Sequence, residues 1–323
     1  MSEFYHKPST NIACDSGENQ FSAATQAFLD FAKKENVDLL FAQLRINNMV
    51  VDDYMTHPLK TRLNVFTVSE GFVAVAAGIA IDEGLIKMEE RLCDSFPEYI
   101  SEQTSEYLLA VTVHDLLTMT TGLAHPLFIC DDEERYTVKD WVRYFFEAEF
   151  VRMPGIEFVH SNFNTYMLSC LIEKKAGVNL LEYLRDRLFE PIGIGNPDWL
   201  TCPKGHIMGA NGLYLTVEEM GRFGQLIRYG GELNGHRIVS ESFIKSAITK
   251  QVKTGVASNN GINGGYGYHF WISNVPNCVM LKGRFGQCIV ISLDKDAIFT
   301  FQALEGYKYQ AMFDKAVEII QLI

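Results

Sequence analysis

The chain predicts an α/β fold of the α+β kind, an antiparallel sheet flanked by helices with a helical domain inserted into it. Three observations carry that reading. Two strand patterns joined by Asn47-Asn48 stand early, the middle third is helical in character, and strand patterns return after Gly264-Gly265. Strands near both chain ends with helices between them require the two ends to close one sheet. We therefore expect a sheet domain from residues 1–85 and 205–323 and an inserted helical domain over 86–204. At 323 residues the chain holds one large or two intimate domains. Folding at that size buries roughly three quarters of the extended-chain surface, so neither disulfides nor metals are needed for stability.

The elements follow in order. After a polar start, Ser22–Glu35 reads as a helix with Phe28, Leu29 and Phe31 on one side. Leu39–Ile46 and Met49–Tyr54, joined by Asn47-Asn48, read as a hairpin. Residues 68–81, VSEGFVAVAAGIAI, are long and apolar enough for a buried helix that Gly84 ends. Thr112-x-x-Asp115 is a capping-box pattern before Leu116, Leu117 and Met119, with Gly122 as the stop. Trp141–Phe150, Tyr166–Lys175 and Leu180–Leu188 carry helical periodicity, and Pro191, Gly193, Gly195 and Pro197 then break the chain. Thr216-x-x-Glu219 opens a helix that Gly230-Gly231 closes. Strands are expected over Tyr266–Ile272, Val279–Lys282, Gln287–Leu293 and Ala297–Leu304, and a last helix near Ala311–Ile320.

Composition narrows function. With 28 Lys+Arg against 40 Asp+Glu the net charge is −12, and clustered cations for phosphate are missing, so no nucleic-acid partner is expected. No apolar run approaches the ~20 residues of a membrane helix, and the N-terminus has no apolar core of a secretory signal. We expect a cytoplasmic protein with no membrane partner. Cys14, Cys93, Cys130, Cys170, Cys202, Cys278 and Cys288 are scattered, odd in number and without a C-x-x-C pair, which reads as reduced thiols. The eight histidines form no H-E-x-x-H or Cys/His cluster, so no metal and no cofactor is expected.

The segment NVFTVSEGFVAVAAGIAIDEGLIKMEERLCDSFPE, followed by VTVHDLLTMTTGL, PGIEFVHSNFNTYMLSCLIEKKAG, GLYLTVEEMGRFGQLIRYGGELNG, GYGYHFWI and KGRFGQ, resembles the serine β-lactamase and penicillin-binding-protein superfamily. The likeness is to its class C β-lactamase-like branch, and it runs in order over roughly residues 37–305. The resemblance implies a β-lactamase/transpeptidase-like fold and a site built from three motifs. A serine in S-x-x-K attacks a carbonyl, the lysine and the tyrosine of Y-x-N move protons, and a K-x-G or H-x-G strand borders the oxyanion hole.

This chain departs from all three. The S-x-x-K segment reads Thr67-Val68-Ser69-Glu70, with threonine for the nucleophile and glutamate for lysine. Y-x-N reads His160-Ser161-Asn162, and the strand motif reads Leu281-Lys282-Gly283. The family-equivalent catalytic positions are thus Thr67, Glu70 and His160, and the substrate-binding ones Asn162, Leu281, Gly283 and Arg284. Strand alternation turns Lys282 away from the pocket in this register. Ser69 differs from Thr67 by about 200° around the helix and packs against its neighbours. Ser242-x-x-Lys245 and Lys253-Thr254-Gly255 spell the motifs but lie outside the apolar helix and the strand that the chemistry needs.

Two readings of the substitutions follow. Thr67-x-x-Glu70 before an apolar run is also a capping box, so a former nucleophile site converted to a helix cap explains both residues. That favours a non-catalytic homologue without β-lactamase activity, binding a small amide, ester or peptide ligand in the cleft between the domains. Alternatively, Thr67, His160 and Glu70 form a nucleophile, base and orienting acid that hydrolyses amide or ester bonds, with the N–H groups of Thr67 and Arg284 as the oxyanion hole. A structural or oligomer-forming role is the third class.

Overall fold

The computed structural model describes residues 21–57, 61–127, 132–255, 264–306 and 308–323. The polar start up to residue 20, Cys14, Cys130 and most of the loop after Lys253 lie outside them. Seven strands form one antiparallel sheet: β1 (Leu39–Ile46), β2 (Met49–Met55), β3 (Gly265–Tyr266), β4 (Trp271–Ile272), β5 (Cys278–Gly283), β6 (Gln287–Ser292) and β7 (Ala297–Ala303). Their order is β2-β1-β7-β6-β5-β4-β3. The first hairpin therefore joins the C-terminal strands through the β1–β7 pair, Ala42 opposite Phe301, and both chain ends close the sheet as expected. Between the end of β2 and Gly265 the segments are mainly helical.

The hairpin turn forms because Asn47 and Asn48 adopt φ of 48° and 66°, the left-handed pair that a two-residue turn between twisted strands requires. The expected strand over Tyr266–Ile272 is instead a tight hairpin of β3 and β4, in which Tyr266 pairs with Trp271. The Gly267 N–H donates to the Phe270 carbonyl at 2.8 Å and His269 takes φ 62°, so the chain reverses within a run whose apolarity reads as one strand.

One sheet face is covered by α1 (Ala23–Lys34) and the last helix, Tyr309–Ile320. There Phe28 meets Phe299 and Phe301 edge-on or tilted at 4.8 and 4.9 Å. The other face packs on α2 (Ser69–Asp82) and α4 (Val217–Arg228), and α3 (Asn162–Ala176) lies against α2. Helix α2 is buried on all sides from Ser69 to Ala80, which explains its small residues and its lack of a polar face. Gly71 is needed there because a Cβ would stand 2.7 Å from a Leu281 methyl. With the last helix named α5, the layers run α1/α5, sheet, α2/α4, and α3 packs on α2 beyond them.

The capping box expected at Thr112/Asp115 is formed, and the helix expected to open at Thr216-x-x-Glu219 begins with one as well. The helix expected over Trp141–Phe150 is shorter, Trp141–Phe146, because Phe150 pairs with Leu123 in an isolated bridge. Helix α3 begins earlier than its periodicity indicates, at Asn162, where the Ser161 hydroxyl accepts from the Phe163 N–H. The five described cysteines, Cys93, Cys170, Cys202, Cys278 and Cys288, are free and buried. Among the described residues no helix is long and apolar enough to cross a membrane, and no group of three or more His, Cys, Asp or Glu could hold a metal.

Candidate functional site

The approach to α2 is fixed by Asn64, whose Oδ1 accepts from the N–H groups of Phe66 at 2.9 Å and Gly212 at 3.2 Å. Phe66 then takes φ 49°, a conformation that a bulky residue rarely adopts and that clusters at functional sites. Its ring is held edge-on by Phe285 at 5.1 Å. A 3-10 turn, Phe66–Val68, carries Thr67 and runs into α2.

The capping-box reading of Thr67 and Glu70 is overturned here. The N-cap of α2 is Val68, with no side-chain cap, because the 3-10 turn places Thr67 before the helix proper. The Thr67 hydroxyl instead donates to the Lys282 carbonyl at 2.9 Å. Ser69, fully buried, donates to the Phe66 carbonyl at 2.7 Å.

Glu70 turns inward and is only 2% exposed. Its Oε2 lies 3.1 Å from His160 Nε2 and accepts from the Tyr266 hydroxyl at 3.3 Å, while Oε1 is buried with no hydrogen-bond partner. Burial, reinforced by the Glu70 carboxylate, pushes the Tyr266 phenol well above its ordinary value, so Tyr266 is a donor to that carboxylate and not a base. His269 lies behind this group, with Nε2 3.3 Å from the Thr165 hydroxyl and Nδ1 buried and unpartnered. Burial lowers its pKa to about 4, leaving it neutral.

His160 is partly exposed and leans on Trp271, with ring centroids 5.8 Å apart and planes 25° apart. Its Nε2 is engaged by Glu70; among the described residues no hydrogen bond joins it to Thr67. The sequence reading therefore names three residues of which one pair, Glu70–His160, is bonded. It misses Tyr266, Trp271 and His269. The run GYGYHFWI carries their chemistry, but only the β3–β4 hairpin reversal brings them beneath Glu70.

On β5 the side chains alternate as expected. Leu281 is buried against Gly71, so it belongs to the core under α2 and does not face the cleft expected of a substrate-binding position. Lys282 lies on the opposite face but does not leave the pocket. The cleft passes around the end of β5 toward α5, and Lys282 lines it with Tyr309 and Phe313. Its ammonium stands 3.8 Å above the Trp271 ring, and burial lowers its pKa to about 8. Gly283 permits the close approach of β5 to the Thr67 turn, since a Cβ would stand 2.4 Å from the Val65 carbonyl.

These groups share one open cleft of about 340 Å³ that includes Thr67, His160, Asn162, Gly283 and Arg284. A larger hollow of about 470 Å³, lined by Glu173, Lys174 and His206 among others, holds none of the motif residues. Ser242 and Lys245 are exposed on a surface helix, and Lys253 and Gly255 are exposed as well. A hydroxyl, an imidazole, an amide and two cationic side chains line the cleft, and an acid supports the imidazole from behind.

The fold recurs in solved structures of low identity. An octameric penicillin-binding protein homologue from Pyrococcus abyssi superposes with TM-score 0.73 at 17% identity, covering 92% of this chain and 76% of that one. A family VIII carboxylesterase gives TM-score 0.71 at 17% identity, covering 92% and 96%. A class C β-lactamase gives 0.72 at 16% identity, covering 94% and 98%. No curated protein matches the chain by sequence. The Beta-lactamase family model matches residues 45–312, most of the chain, and the protein belongs to the β-lactamase family.

Proposed function

We propose that this β-lactamase-family protein binds a small amide, ester or peptide ligand in the Thr67 cleft without forming an acyl-enzyme. The observation that carries this is the destination of the Thr67 proton. The hydroxyl donates to the Lys282 main-chain carbonyl, a group with no useful basicity, whereas an attacking hydroxyl must give its proton to a positioned base. The position that resembles the family's lysine holds Glu70, buried and committed to His160 and Tyr266. The extra methyl of threonine adds crowding at the attacking oxygen. What remains suits recognition: Asn162 and Arg284 for polar groups of the ligand and Tyr309 for an apolar face. The test is hydrolysis of p-nitrophenyl acetate, an ester probe suggested by the carboxylesterase neighbour. We expect the rate of a denatured control; saturable turnover lost in Thr67→Ala would overturn the reading.

One observation favours the second reading, an altered hydrolase. Glu70 and His160 are 3.1 Å apart, the acid–imidazole half of a nucleophile–base–acid triad. For activity the Thr67 hydroxyl would have to leave the Lys282 carbonyl and donate to the other ring nitrogen. Under that reading Thr67→Ala and His160→Ala abolish ester hydrolysis about equally.

A further inference from the structure

We propose that Lys282 is a nucleophilic amine of the cleft, capturing carbonyl ligands as a reversible imine; an aromatic aldehyde bearing a carboxylate fits it best. This goes beyond ligand binding by Thr67 and its neighbours, and uses a residue that the family motif does not assign to chemistry.

Lys282 is half-buried on the cleft wall. Among the described residues no carboxylate lies within ion-pair distance of its nitrogen, which instead stands 3.8 Å above the Trp271 ring. Some lysines outside the cleft do have an acid: Lys174 reaches Glu98, Lys175 reaches Glu90, and Lys204 reaches Asp140. Burial without a carboxylate favours loss of the charge, against the pull of the Trp271 ring face on the ammonium, and the neutral amine is the nucleophile. Burial is the main cause of its pKa of about 8, against weaker opposing pulls from Cys288 on β6 and Asp314 on α5. His160 and Arg284 face the same cleft.

The chemistry balances without a co-reactant. The Nζ lone pair forms the N–C bond to the aldehyde carbon while the C=O π electrons move to oxygen. A proton then passes from nitrogen to oxygen through water, giving a carbinolamine. Loss of water from that adduct leaves a C=N bond and consumes no oxidant or reductant. Tyr309 lines the cleft beside Lys282 and offers an aromatic surface for the aldehyde ring, and Arg284 a guanidinium for its carboxylate.

The probe is 4-carboxybenzaldehyde with sodium cyanoborohydride at pH 7.5, followed by peptide mapping. We expect Lys282 to be labelled at least about tenfold faster than exposed lysines, because a pKa near 8 leaves far more neutral amine than the ordinary ~10.4. Lys282→Arg should lose the fast label. Should that variant fold poorly, labelling the wild type in urea provides the check, and the preference for Lys282 must vanish there. Labelling spread over lysines in proportion to exposure, or the same preference in urea, would overturn the proposal. Ester hydrolysis is scored separately on the same preparation, so turnover at Thr67 overturns the binding reading without touching this one.

Discussion

The hydroxyl of Thr67 is tied to the carbonyl of Lys282 across 2.9 Å, joining the turn before α2 to the last residues of β5. Where a nucleophile is expected, this hydroxyl works as a tether between helix and strand. Replacing it should therefore be felt in stability. Thr67→Val, of nearly equal shape, is expected to lose about 1 kcal/mol, while Thr67→Ser keeps the bond and most of the stability. Urea denaturation of the three proteins checks this, and equal midpoints for wild type and Thr67→Val would contradict it.

Tyr266→Phe removes one of the two groups that hold the Glu70 carboxylate. A hydrogen bond to a charged group contributes about 1.5–3 kcal/mol, so that loss is expected in chemical denaturation. Glu70→Gln should soften the effect of Tyr266→Phe, because the two share the bond and their effects are not additive. A double-mutant cycle reads the coupling.

Gly283→Ala places a Cβ 2.4 Å from the Val65 carbonyl. That oxygen is main chain, and the strand has to shift. A loss of about 1–3 kcal/mol is expected, seen as a lower midpoint in urea.

The buried His269 sets a pH dependence. Its folded pKa of about 4 lies below the ordinary value of 6.5. Between those values the unfolded chain binds the proton and the folded protein does not. Unfolding free energy therefore falls as pH drops from about 6.5 to 4, by up to about 3 kcal/mol from this group alone. His269→Asn removes the titration, so the difference between wild type and variant isolates it from the carboxylates. Parallel stability curves for the two over that range would contradict the assignment.

The fold was legible because its signals are local: Asn47-Asn48, the two capping boxes and the all-apolar run of α2 each specify one element. The closing of one sheet by both chain ends followed from where the strand patterns fall. The site was legible only in part. Glu70 and His160 could be placed together through the family motif, and they are bonded. The role of Thr67 was not readable, since Thr-x-x-Glu fits a cap equally well and the 3-10 turn that decides against it has no sequence mark. Tyr266, Trp271 and His269 were read as one strand, because a reversal at Gly267–Phe270 carries too little turn chemistry to break an apolar run. Lys282 was placed away from the pocket by alternation alone. Alternation gives the sheet face correctly but cannot show that the cleft passes around the strand's end.

The central claim is that Thr67 forms no acyl-enzyme. The most direct measurement is peptide mapping by mass spectrometry after long incubation with a fluorescent penicillin and, in parallel, a chromogenic cephalosporin. No turnover and an unmodified Thr67 peptide are expected; a stoichiometric acyl adduct on Thr67 would contradict this.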